Sequence, residues 1–173
     1  MKRYCVLSLK TMKALIAVFC FLGATFVRSQ EASVDPVGLL QSKKLKTINR
    51  KIVSIRENEK QFVHLDENAG DGMAILEGIR FSTGEIELEV RGKNVLQKSF
   101  VGVAFHGTDE KTYEAVYFRP FNFKNDNPVR RSHAVQYISH PGFTWSKLRQ
   151  EKPGMYEKPI DRLTDRTDGW IAL

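Results

Sequence analysis

The sequence predicts an all-β fold, a β-sandwich or jelly roll, on three observations. Short apolar runs recur at close spacing with polar turns between them, as in Ile52–Ile55, Phe62–Leu65 and Met73–Leu76. Gly84–Gly92 alternates without a break: Ile86, Leu88 and Val90 fall on one side, Glu85, Glu87 and Glu89 on the other. From Ser99 to His140 the chain is glycine-punctuated and rich in aromatic and hydrogen-bonding residues. No long stretch carries the helical period.

The N-terminus is organised differently. An apolar run, Ala14–Phe26, follows Lys2, Arg3, Lys10 and Lys13, and no acidic residue precedes Glu31. This is the layout of an export signal, with Val27 and Ser29 at the two positions before cleavage that must be small or modest. The run is shorter than the about 20 residues a spanning helix needs. The expected division is therefore a signal peptide at 1–29, a flexible N-terminal segment at 30–47, with Pro36 and Gly38 as breakers, and one β-sandwich domain at 48–173. The expected location is extracytoplasmic, periplasmic or secreted.

Removing the signal changes the charge argument. The whole chain carries +7, but residues 30–173 hold 22 basic against 20 acidic residues. The basicity belongs largely to the leader and gives no reason to expect nucleic acid. Both cysteines, Cys5 and Cys20, also lie in the leader, so the exported part has no disulfide to draw on and relies on an apolar core. No membrane span is expected after cleavage. Serine-nucleophile elbows, phosphate loops and dinucleotide fingerprints are absent from the sequence.

The candidate binding chemistry lies in Thr112–Phe123, His133–His140 and just beyond. Alternation places Tyr113, Ala115, Tyr117 and Arg119 on one face, and Glu114, Val116 and Phe118 on the other. Tyr113, Tyr117, Tyr137 and Trp145 have rings that can stack on sugars or fill a core. Arg119 can grip a hydroxyl pair or a carboxylate through two parallel bonds, or form an ion pair with Glu114 or an aspartate. Asn122 and Gln136 offer donors and acceptors for hydroxyls, or for backbone capping. His140 lines the cleft or bonds locally. The expected partner is carbohydrate. His106, His133 and His140 lack close ligand spacing, so no metal is expected from them. Asp66, Asn68, Asp71 and Asn125–Asn127 could offer oxygens to calcium, but such clusters are more often turns. No cofactor is expected. A short helix is anticipated near Trp145–Gln150, before Pro153-Gly154.

Four pieces carry a resemblance: Phe100–His106, Tyr113–Phe123, Ala134–Pro141, and Trp145–Arg149 followed by Pro153–Glu157. Together they resemble secreted concanavalin A-like β-sandwich domains of the 3-keto-disaccharide hydrolase type. The resemblance implies a jelly roll, an extracytoplasmic location and a glycan-related role, either binding or glycoside hydrolysis, and it supplies no catalytic residues. Glu85, Glu87 and Glu89 are similar to the alternating carboxylates of laminarinase-type glucanases, although Glu87 stands where an aspartate is usual. A solvated strand face is the plainer reading of those three. Asp161–Leu173 looks like the family's terminal motif joined early, which implies missing strands and an inactive, shortened member as a further alternative.

Overall fold

The computed structural model describes residues 3–6, 32–160 and 170–172; most of the expected export segment lies outside the described residues. The described part is β-rich and its sheets are antiparallel. The first sheet runs β11-β6-β1-β4-β3, with β1 at Arg3–Val6, β3 at Ile52–Glu57, β4 at Lys60–Leu65, β6 at Glu89–Arg91 and β11 at Trp170–Ala172. The second runs β10-β9-β8-β7, with β7 at Val101–Phe105, β8 at Tyr113–Phe118, β9 at Val135–His140 and β10 at Glu157–Lys158. A two-stranded ribbon pairs β2 (Leu45–Ile48) with β5 (Met73–Leu76).

The three strands expected between Ile52 and Leu76 all form. β3 and β4 close through Asn58-Glu59, with Asn58 at φ +53°, the left-handed conformation that Asn tolerates in a tight turn. Gly84–Gly92 is paired only over Glu89–Arg91, because β1 and β11 align with those residues alone. Its alternation still works as expected: Leu88 and Val90 are buried and Ile86 packs beside them.

The core joins the two sheets. Leu88, Val90, Val101 and Phe118 form one buried cluster, flanked by Val103, Val116, Phe123, Val135 and Ile160. Gly102 lets β7 and β8 approach, since a Cβ there would lie 2.2 Å from the Val116 carbonyl oxygen. Away from this core, the first sheet carries a second layer in which Phe62 meets Trp170 edge-on at 4.9 Å.

The segment expected to be flexible carries α1 (Pro36–Gln41) as well as β2. Pro36 was expected to break structure, yet it occupies the first turn of α1, where its missing N–H costs nothing; Asp35 caps that turn by accepting from the Val37 N–H at 3.0 Å. Two further short helices, α2 (Pro120–Phe123) and α3 (Pro128–Arg131), link β8 to β9. The helix anticipated near Trp145 is α4 (Trp145–Glu151), capped by Thr144. No helix among the described residues is long and apolar enough to cross a membrane.

Candidate functional site

The second sheet sorts its side chains as alternation requires. Tyr113 stands opposite His140, Ala115 opposite Ile138, and Tyr117 opposite Gln136, which in turn faces Glu157 on β10. These residues share the sheet face turned away from the Val101–Phe118 core. At one end of the face the Tyr113 and His140 rings stack at 5.2 Å and 25°. At the other end lies a buried ionic cluster.

Glu157 is the centre of that cluster. It is buried, and Arg149 Nε donates to both of its oxygens at 3.0 and 3.2 Å while Arg149 Nη2 also bonds Oε1. Arg119 Nη1 lies 3.6 Å from Glu157 Oε1, and His133 Nδ1 lies 2.7 Å from Oε2. Arg119 itself is buried. Its Nη1 donates to the His133 carbonyl at 2.8 Å, and its Nη2 donates to the Tyr117 hydroxyl at 3.0 Å and to Gln136 Oε1 at 3.3 Å. The guanidinium therefore does not reach out at a sheet margin, and its carboxylate partner is Glu157 rather than Glu114 or an aspartate.

The two amides expected to meet hydroxyls are likewise committed to the fold. Gln136 is fully buried and donates to the carbonyls of Tyr137 and Tyr156 at 2.8 and 3.2 Å. Asn122 is buried and donates to the His133 carbonyl at 3.2 Å. Trp145 is the opposite case: it is exposed, with the Arg149 guanidinium 5.0 Å from its ring. Thus Tyr113, Tyr117, Arg119, Gln136 and His140 come together on one face, Asn122 braces it from behind Arg119, and Trp145 flanks it on α4. Of these, Tyr113, His140 and Trp145 retain ring surface for a ligand.

Sequence reasoning missed Glu157 and Arg149, and weighed His133 only as a metal ligand and Asp71 only as a calcium or turn residue. Arg149 could have been found from its spacing of four from Trp145 on a short helix; Glu157, beyond a turn, gives no local signal. Asp71 sits on the loop after β4. Asn49 holds that loop by donating to the Ala69 and Asp71 carbonyls at 2.8 Å each, and Arg50 donates to Gly70. Burial raises the Tyr113 phenol above its ordinary value, and the Asp71 charge raises it further; at Tyr117 burial again dominates, with Arg119 opposing and Glu157 adding.

A separate cluster occupies the core-side face near its rim. The Tyr137 hydroxyl donates to Glu114 Oε2 at 2.6 Å, and His106 Nδ1 lies 3.0 Å from Glu114 Oε1 while Nε2 lies 3.0 Å from the Ser82 carbonyl. The Tyr137 phenol is pushed up to about 12 by burial and by its bond to Glu114. The Tyr137 bond, followed by the His106 bond, holds the Glu114 carboxyl below its ordinary range. Both His106 nitrogens face acceptors, which favours the imidazolium and raises its pKa.

The other candidates stay apart. Glu89 pairs with Lys60 on the first sheet, and Glu85 is exposed. Asp66 accepts from the Lys51 N–H at 2.7 Å and Asn127 caps α3, as turn residues do. No group of three or more His, Cys, Asp or Glu among the described residues could hold a metal ion. An open depression lined by Ala32, Val34, Gly38, Leu39, Ile79 and Arg80 lies at α1, and none of the candidate site residues lines it.

No family model matches the chain, and neither a curated protein nor a solved structure does.

Proposed function

We propose that this chain is an extracytoplasmic carbohydrate-binding protein, built as a concanavalin A-like jelly-roll sandwich of the 3-keto-disaccharide hydrolase type. It binds sugar on the β8–β9 face turned away from the core. The observation that carries this reading is the stacked Tyr113–His140 pair at the end of that face; burial, and then the Asp71 charge, raise the Tyr113 phenol there. Rings beside a carboxylate suit a pyranose, whose C–H face stacks while its hydroxyls donate. Trp145 adds a second ring at the edge.

Binding without turnover is favoured over glycoside hydrolysis by where the carboxylates lie. Hydrolysis by the usual routes needs two carboxyl groups flanking the scissile bond, roughly 5–10 Å apart. Glu157 is enclosed by Arg119, Arg149 and His133 and offers no oxygen to a substrate. Glu114 faces the other way.

A glycan array run beside a reducing-sugar release assay tests the reading. Retention of an oligosaccharide without release is expected, with at least a tenfold loss in Tyr113→Ala. Turnover would replace this reading with the hydrolase alternative. Neither binding nor release would leave the inactive, shortened family member.

A further inference from the structure

The five-stranded sheet ends at β3. Among the described residues β3 pairs with β4 alone, and Lys51, Val53, Ser54, Arg56 and Glu57 are exposed along it. Its backbone groups divide by period two. Lys51 faces β4: its carbonyl accepts from the Asp66 N–H at 2.9 Å, and its N–H donates to Asp66 Oδ1 at 2.7 Å. Glu57 stands opposite Lys60 across the Asn58-Glu59 turn, so it faces β4 too. Antiparallel ladders alternate, and Ile52, Ser54 and Arg56 between them therefore turn their N–H and C=O groups outward.

The side chains of this edge complement themselves. A two-fold axis at Ser54 lays the strand antiparallel to a copy of itself. Lys51 then comes opposite the partner's Glu57, Val53 opposite the partner's Ile55, and Ile52 opposite the partner's Arg56. The outward backbone groups of Ile52, Ser54 and Arg56 meet in register. Val53 is 50% exposed on the face where Ile55 packs against Phe62 and Trp170, and this pairing carries that apolar layer from one copy into the next. Glu57 bonds Arg91 through Oε2 and is still exposed. An axis at Val53 would set Arg56 against the partner's Arg50, and an axis at Ile55 would set Val53 against the partner's Glu57, so both shifted registers are poorer.

We infer that β3 is the seam of a symmetric dimer, in which a second copy of this chain adds its own β3 antiparallel about Ser54. The charge pattern argues for that occupant. Edge charges of one sign would repel a copy, whereas a cation at the start of the strand and an anion at its end attract one when the strands run oppositely. The inference is independent of the carbohydrate reading, because the ring face lies on the other sheet.

The test is sedimentation of the full chain over a range of concentrations, with hydrogen exchange read at 52–56 and with 115–118 as an internal reference. A dimer is expected, with protection at 52, 54 and 56 rising with concentration and the reference unchanged. A monomer at every concentration, or a dimer that leaves 52–56 unprotected, would overturn the inference. Ser54→Pro removes an outward donor from an edge strand, where proline is tolerated, and should give a folded monomer; a folded dimer overturns the seam. Should that variant fail to fold, Lys51→Glu and Glu57→Lys replace it. Each alone sets like charges opposite one another twice and should weaken association about tenfold. Mixed, they restore both pairs and should form a heterodimer. A mixture that associates no better than its components overturns the inference.

Discussion

The two main sheets are built on opposite plans. The four-stranded sheet is a contiguous stretch: β7, β8, β9 and β10 follow one another from Val101 to Lys158, each beside its predecessor. The five-stranded sheet gathers β1, β3, β4, β6 and β11 from both ends and the middle of the chain, and only β3–β4 is a hairpin. Closing long loops costs entropy before any pairing rewards it. The contiguous sheet can therefore organise itself and hold the ring face, while the other depends on segments that arrive late. Side-chain chemistry follows the same division. A buried ion cluster on Glu157 braces the first, and aromatic–cation contacts around Phe62 and Trp170 brace the second.

The largest expected effect breaks both plans at once. Phe118 is on β8 but packs against Leu88 and Val90, so Phe118→Ala removes a ring from the shared core. A loss of about 3–5 kcal/mol is expected, read as a shift of the denaturation midpoint, with exchange protection falling in both sheets. Trp170→Ala removes a comparable ring from the outer layer alone. Its loss of protection should stay within the five-stranded sheet, and loss in β8 or β9 as well would mean that the two do not organise separately.

Next in size is Glu157. Glu157→Gln leaves Arg119 buried beside Arg149 with no carboxylate between them, at a cost of about 3 kcal/mol. This should loosen β9, β10 and α4 while sparing β3 and β4. The effect is checked by equilibrium denaturation together with site-resolved hydrogen exchange. A midpoint unchanged from wild type would show that the cluster does not hold the contiguous sheet.

The same contrast explains what could be read from the sequence. The β-rich character, the antiparallel pairing and the runs at Ile52, Phe62, Met73, Tyr113 and Ala134 are local, carried by period-two alternation and turn residues. The ring face was legible for that reason: Tyr113, Ala115, Tyr117 and Arg119 are spaced by two. What alternation cannot give is the partner of a buried charge. Arg119 looked like a ligand group because Glu157 lies far from it in sequence and approaches only through β10 pairing. Gln136 and Asn122 carry amides suited equally to sugars or to carbonyls, and only the burial of their positions decides between the two. The place of β1 was illegible, because a leader-like N-terminus gives no sign of its pairing with β4 and β6.

The smallest expected effect separates two histidines of the contiguous region. His106, bonded to Glu114 and Ser82, has its pKa raised above the ordinary 6.5. A group whose folded value is raised contributes stability that is complete below the unfolded pKa and disappears as pH rises through the folded one. The link between the Ser82 loop and β8 should therefore weaken above neutrality. His133 is shifted the other way: burial lowers it, Glu157 opposes that, and Arg149 and Arg119 reinforce it. Its contribution is complete above the ordinary value and disappears as pH falls below it. The two losses lie on opposite sides of the ordinary value, so the wild-type curve should peak there and fall on both sides. Denaturation midpoints measured from pH 5 to pH 8.5 should show the acid-side loss alone in His106→Gln and the alkaline-side loss alone in His133→Gln. Identical curves for both variants would mean that neither contact senses protonation, and that this sheet is held by its core and by Glu157.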